Sequence, residues 1–151
     1  MRLVVQRVAQ ARVRVLRQVV GEIGPGAVVL VGVRAGDTEE IADRMADRLA
    51  VLRYFEDDVG RTNVDMATAG GAFLVVSQFT LYADVRRGRR PGFIDAADPE
   101  LAERLVERFV ARLRAAGHEV ATGRFGAKME VELTNDGPFT LVLDSDRDLS
   151  G

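Results

Sequence analysis

The chain has 151 residues, 47% of them hydrophobic, enough for a single domain over residues 1–151 with its own core, and a formal net charge of −2 that does not advertise a polyanion partner. It has no cysteine, which excludes disulfides, thiolate nucleophiles and zinc–thiolate sites, and one histidine, His118, which excludes multi-histidine metal centres and makes any Ser-His-Asp triad depend on it. No apolar run approaches the ~18 residues of a membrane span and no charged head precedes an apolar block, so the reading is a cytoplasmic protein with no membrane partner.

Residues 2–8 and 11–20 read as strands; in the second, Val13, Val15 and Val19 contrast with Arg12, Arg14 and Arg17 in a near period of two. Residues 21–26 carry turn chemistry, and the apolar run from Ala27 to Val33 predicts a strand covered on both faces. Asp37 with Glu40 resembles a capping box. Ile41, Met45, Leu49 and Leu52 then predict a helix to about residue 53. Glu56, Asp57 and Asp58 open a polar stretch to Asn63 that lacks the order of a calcium loop and reads as a solvated connection.

Residues 72–76 form a second unbroken apolar run, which passes without Gly or Pro into Ser77, Gln78, Phe79 and Thr80. Polar groups at the end of a buried strand either cap structure or form a site. Arg86, Arg87, Arg89 and Arg90 follow closely, the densest positive charge in the chain, and fit a solvated loop and a phosphate contact equally well. Asp98, Pro99 and the stripe Leu101, Leu105, Phe109 and Leu113 predict a helix ended by Gly117, with His118 in a solvent-facing turn. Residues 118–122 read as a short strand and 125–128 as a tight connection. Met129, Val131 and Leu133 predict a half-buried strand and residues 139–143 another, separated by a turn around Asn135, Asp136 and Gly137. Base rates favour a trans peptide before Pro138, and residues 144–151 read as a mobile acidic tail. Clean period-two strands with only two helices predict a mixed α/β fold: a strongly curved, largely antiparallel sheet closing toward a β-barrel, with two amphipathic helices outside.

Two stretches stand out: Ser77-Gln78-Phe79-Thr80 and Asn135-Asp136-Gly137-Pro138-Phe139-Thr140. With the opening residues 1–8, Gly24-Pro25-Gly26, Gly60-Arg61-Thr62-Asn63, Gly88-Arg89-Arg90-Pro91 and residues 122–126, they resemble, in the same order, the signatures of the D-aminoacyl-tRNA deacylases. The resemblance covers essentially the whole chain. It implies a homodimer with active sites at the subunit interface, no cofactor, and D-aminoacyl-tRNA and glycyl-tRNA as substrates. Ser77, Gln78, Phe79 and Thr80 would form the pocket floor and oxyanion side. Gly137 and Pro138, joined by a cis peptide, would enter the other subunit's pocket and collide with L side chains. Asn135, Thr140 and Arg7 would brace that loop and Met129 would line the terminal-adenosine site; beside such a site the phosphates that the four arginines could contact would be those of tRNA. Phe139 departs from the Val that most members carry.

The residues themselves fit this chemistry. Without cysteine, metal cluster or a convincing histidine, side chains offer no activated nucleophile, so the substrate must already be reactive, as an aminoacyl ester with a vicinal hydroxyl is. Two other functions remain open at this level: a small-ester hydrolase using Ser77 or Thr80, and a non-catalytic nucleic-acid-binding module using the arginines.

Overall fold

The computed structural model describes residues 1–149. Its longest strands, β1 (Arg2–Val15) and β8 (Glu130–Asp144), run antiparallel side by side along nearly their whole length. The other edge of β1 pairs first with β3 (Gly26–Gly32) and then with β2 (Gln18–Ile23), both antiparallel. Next to β3 lie β6 (Ala72–Ser77) and β7 (Val120–Thr122), both parallel to their neighbours. The sheet then curls until β2 meets β7. There a Cβ on Gly21 would stand 2.4 Å from the Thr122 carbonyl oxygen, so only glycine lets the barrel close.

The apolar runs at residues 27–31 and 72–76 explain the central strands. Ala27, Val29, Val31, Phe73 and Val75 face one core, while Val28, Ala72, Leu74 and Val76 face a second inside the barrel. The first core is covered by α1 (Glu39–Val51) and α3 (Pro99–Ala115), through Met45, Leu49, Leu105, Phe109 and Leu113. Their outer edges are joined by arginine–carboxylate pairs, Arg108 with Asp43 and Arg112 with Asp47. A short hairpin, β4 (Arg53–Glu56) and β5 (Thr62–Asp65), and the one-turn helices α2 (Met66–Ala69) and α4 (Ser145–Asp148) complete the described residues.

Several sequence expectations need correction. The strand expected over residues 11–20 is broken by a turn at Leu16 and Arg17, which have φ of 49° and 67° and so match the twist of a tight hairpin. Thr38, not Asp37, caps α1. Asp37 is taken by the buried Met1 amine at 2.7 Å and the Arg34 amide at 2.8 Å. The polar stretch from Glu56 is a hairpin turn around Asp57, which accepts from the amides of Val59 and Arg61, and pairing resumes at Thr62. His118 is half-buried, edge-on to the Phe73 ring at 5.3 Å. Residues 144–149 are ordered rather than a loose tail, because Ser145 Oγ accepts from the Met1 amine and its amide donates to the Met1 carbonyl; the last two residues of that expected tail lie outside the described residues. Finally, residues 129–143 are not two strands folded on one another. Both halves pair with β1, and residues 136–139 bulge out opposite Arg7 alone. With β1 on one side, β8 is less covered than its alternation predicts, leaving Val131 and Val142 exposed.

Candidate active site

Strand β6 ends where its polar residues begin. Ser77 still pairs with Val31, and the Gln78 amide donates to the Val31 carbonyl at 2.8 Å. The chain then winds into a 3-10 turn, Phe79–Tyr82, whose first bond is from Leu81 N–H to Gln78 O at 3.3 Å. The N–H groups of Phe79 and Thr80 precede that bond, and among the described residues neither has an acceptor. The Gln78 side-chain amide donates to the Thr80 hydroxyl, which keeps its own proton for another partner.

Ser77, Gln78 and Phe79 form one wall of a cleft of 550 Å³, within the size range of small-molecule sites at roughly 300–1,000 Å³. Met129 and Val131 around the start of β8, Phe125 to Ala127, Phe93, Ala96, Ala97 and Pro99 are among the other lining residues. None of the lining residues is ionisable. His118 stands against Phe73, at the far end of β6 from Ser77, and takes no part. Ser77 also borders a smaller cleft of 360 Å³ behind α3. The larger cleft is therefore lined by the Ser77 hydroxyl, the Gln78 amide and apolar groups, with no ionisable side chain in its wall, while Glu103, Glu107, Arg114 and Arg124 line the smaller cleft that Ser77 also borders.

The arginine segment is attached to this cleft through Phe93, whose ring meets Phe79 edge-on at 4.9 Å. Asp84 and Gly92 exchange two backbone bonds, of 2.7 and 2.8 Å, that pinch the segment into a loop. Arg86 is spent within it. Its guanidinium and amide hold Asp84, and the Arg86 hydrogen bond draws the Asp84 carboxyl well below the usual carboxylate range. Arg87, Arg89 and Arg90 are exposed and make no ion pair among the described residues.

The second signature lies elsewhere. Gly137 is six residues along β8 from Val131, which at ~3.3 Å per residue puts it on the order of 20 Å from the cleft wall. Here Arg7, only 6% exposed, sends Nε to the Asp136 carbonyl at 2.9 Å and Nη1 to the Tyr54 carbonyl at 2.8 Å. Asn135 clips the base of the bulge: its side-chain amide donates to the carbonyls of Arg7 and Phe139 and accepts from the Phe139 amide. Thr140 resumes pairing opposite Gln6, whose side chain reaches its hydroxyl at 3.3 Å. Gly137 has φ +146°, and a Cβ there would stand 2.7 Å from the Phe139 nitrogen. The Gly137–Pro138 peptide is cis, the minority isomer that base rates alone disfavour, and both its flanks are held by the contacts above.

The structure thus gathers Ser77, Gln78, Phe79 and Met129 into one cleft, with Thr80 beside it. It places Arg7, Asn135, Gly137, Pro138 and Thr140 in a separate cluster of the same chain. Phe93, Phe125, Ala96, Ala97 and Pro99 are cleft walls that sequence reasoning missed, and Tyr54 is its missed contributor to the bulge. The available signal was a pair of aromatic residues, Phe93 and Phe125, stranded in otherwise polar or glycine-rich loops.

Fold and site define a curved barrel with a cleft at the end of β6 whose wall carries no ionisable side chain. The sequence matches the family described as D-Tyr-tRNA(Tyr) deacylase over residues 4–144. A D-aminoacyl-tRNA deacylase of Symbiobacterium thermophilum is 60% identical over 97% of both chains, and one of Roseiflexus sp. is 57% identical over 96% of this chain and 94% of its own. A solved structure of a c-Myc DNA unwinding element binding protein superposes with a TM-score of 0.90 at 37% identity, covering 95% of this chain and 98% of that one. A probable eukaryotic D-amino acid tRNA deacylase shares the fold, with a TM-score of 0.83 at 20% identity over 94% and 97% of the two chains. The chain belongs to the D-Tyr-tRNA(Tyr) deacylase family, a family of hydrolases.

Proposed function

We propose that the protein hydrolyses the ester bond of D-aminoacyl-tRNA, and of glycyl-tRNA mischarged on an alanine tRNA, freeing the amino acid and the tRNA in the cytoplasm. The observation that carries this reading is a cleft with two unengaged backbone donors beside it and no ionisable residue in its wall. Such a site suits a substrate that brings its own reactivity. The ester carbonyl oxygen, as it gains charge, accepts from the N–H groups of Phe79 and Thr80; each such donor is worth about 3 kcal/mol by mutational loss. The vicinal 2′-hydroxyl of the terminal ribose assists the attacking water, a role the cleft leaves unfilled. Met129 lies against the terminal adenosine, and Arg87, Arg89 and Arg90 meet backbone phosphates further out, with Arg86 contributing less because Asp84 neutralises it.

Selection against L substrates belongs to the bulge at residues 136–139. Because that bulge stands far from its own cleft, a second copy of the chain in a homodimer presents Gly137 and Pro138 to it, with active sites at the subunit interface. Their carbonyl oxygens face the α-carbon and leave room for hydrogen or a D side chain but not an L one. The test is hydrolysis of D-, L- and glycyl esters carried by one tRNA. D and glycyl esters should be cleaved and the L ester spared, whereas equal cleavage of both enantiomers would end the proposal.

A further inference from the structure

We infer that Phe139 is a positioning residue for the selective bulge: its ring fixes the Arg7 guanidinium that holds the Asp136 carbonyl beside Gly137, and so sets how strictly L side chains are refused. This rests on the reading of the bulge as the selective element. Asp136, Gly137 and Pro138 are exposed, but the next side chain turns back into the protein and packs against the larger core. There the Phe139 ring lies 6.4 Å from that of Tyr54, tilted by 24°, and the Arg7 Cζ sits 4.8 Å above its centroid.

The guanidinium is thereby held on two edges and one face. Its edges donate to the carbonyls of Asp136 and Tyr54, and its face rests on Phe139. Two exposed carboxylates wait nearby, Glu56 at 3.9 Å from Nη2 and Asp136 at 3.7 Å from Nε, both beyond hydrogen-bond distance. Without the ring the guanidinium loses the support of its face while the pull of these carboxylates remains, so it tilts and its bond to the Asp136 carbonyl loosens. The fit is close enough that a Cβ on Gly137 would lie 3.2 Å from Arg7 Nη2, so any rotation of Arg7 is felt at the tip of the bulge. Phe139 therefore closes a ring of contacts, from its own side chain through Arg7 to Asp136 and back along the chain.

The experiment measures kcat/KM for D- and L-tyrosyl esters on one tRNA with the parent chain and with Phe139→Leu, Phe139→Met, Phe139→Tyr and Arg7→Lys. Removing the aromatic face, by Leu or by the similarly sized but unbranched Met, should lower the D-over-L ratio by about tenfold, mainly by raising the L rate. Phe139→Tyr, which keeps the face, should stay within about twofold of the parent. Arg7→Lys, which keeps the charge but cannot donate along two edges at once, should behave like Phe139→Leu. If either folded aliphatic variant keeps the parent's ratio, Phe139 does not position the bulge, while the selective role of the bulge itself survives. A parent that does not distinguish the enantiomers overturns both.

Discussion

The end of β6 and the bulge of β8 are both short polar breaks in a strand, yet their hydrogen bonding is opposite. After Ser77 the backbone leaves the sheet with the N–H groups of Phe79 and Thr80 unengaged. At residues 135–140 the flanks are clipped by the Asn135 amide and the crest is gripped by the Arg7 guanidinium. The contrast matches two different tasks. A group meant to stabilise charge arising on a substrate must be left without a partner until that substrate arrives, and a group meant to refuse a substrate must not yield when pressed.

The largest effect should come from deleting one open donor. Phe79 occupies the first position of its turn, where proline is tolerated, and Gln78, with φ −144° and ψ 83°, lies outside the helical region that a following proline disfavours. Phe79→Pro should then fold and lower kcat by about 10²–10³-fold, whereas Phe79→Ala, which keeps the N–H, should cost far less. Equal losses in single-turnover assays would mean that the ring and not the N–H matters, and the contrast between the two regions would fail on its catalytic side. Next in size, Arg7→Ala removes a buried charged donor from two carbonyls and should cost about 3 kcal/mol of stability in urea unfolding. An unchanged midpoint would show that the bulge is not held as described. Smallest, Thr80→Ala leaves the main-chain donor in place and should reduce kcat less than about tenfold, and His118→Ala should leave it unaltered. Abolition of turnover by both in folded protein would replace this chemistry with a side-chain nucleophile and base.

Much of the fold is legible locally. Asp98 accepts from the Leu101 amide, Pro99 opens α3 and Gly117 with φ +92° follows its end, so that helix announces both its termini. The runs at residues 27–31 and 72–76 announce central strands in the same way. What could not be read depends on partners distant in sequence. Neither Leu16 nor Arg17 is a residue that favours positive φ, so the β1–β2 turn carries no signature. By type Asp37 is the better cap of the two, yet the choice falls to Thr38 because the Met1 amine claims Asp37. Asn-Asp-Gly reads as a hairpin, but each half of β8 finds its partner in β1 instead of in the other half. The site divides along the same line. Ser77 to Thr80 is visible as polarity at the end of an apolar run, while Phe93, Phe125 and the Tyr54 carbonyl reach their places only through tertiary folding.

The central claim, that the catalytic floor of one chain works with the selective bulge of another, is tested most directly by mixing two defective chains. One carries Phe79→Pro, with its floor disabled and its bulge intact; the other carries Gly137→Ala, with an intact floor and a Cβ that would stand 2.7 Å from the Phe139 nitrogen. Each mixed dimer then contains one site with both parts sound, so unfolding and refolding the chains together should restore D-selective hydrolysis that neither shows alone. Rates and D-over-L ratios equal to the average of the separate variants would contradict it.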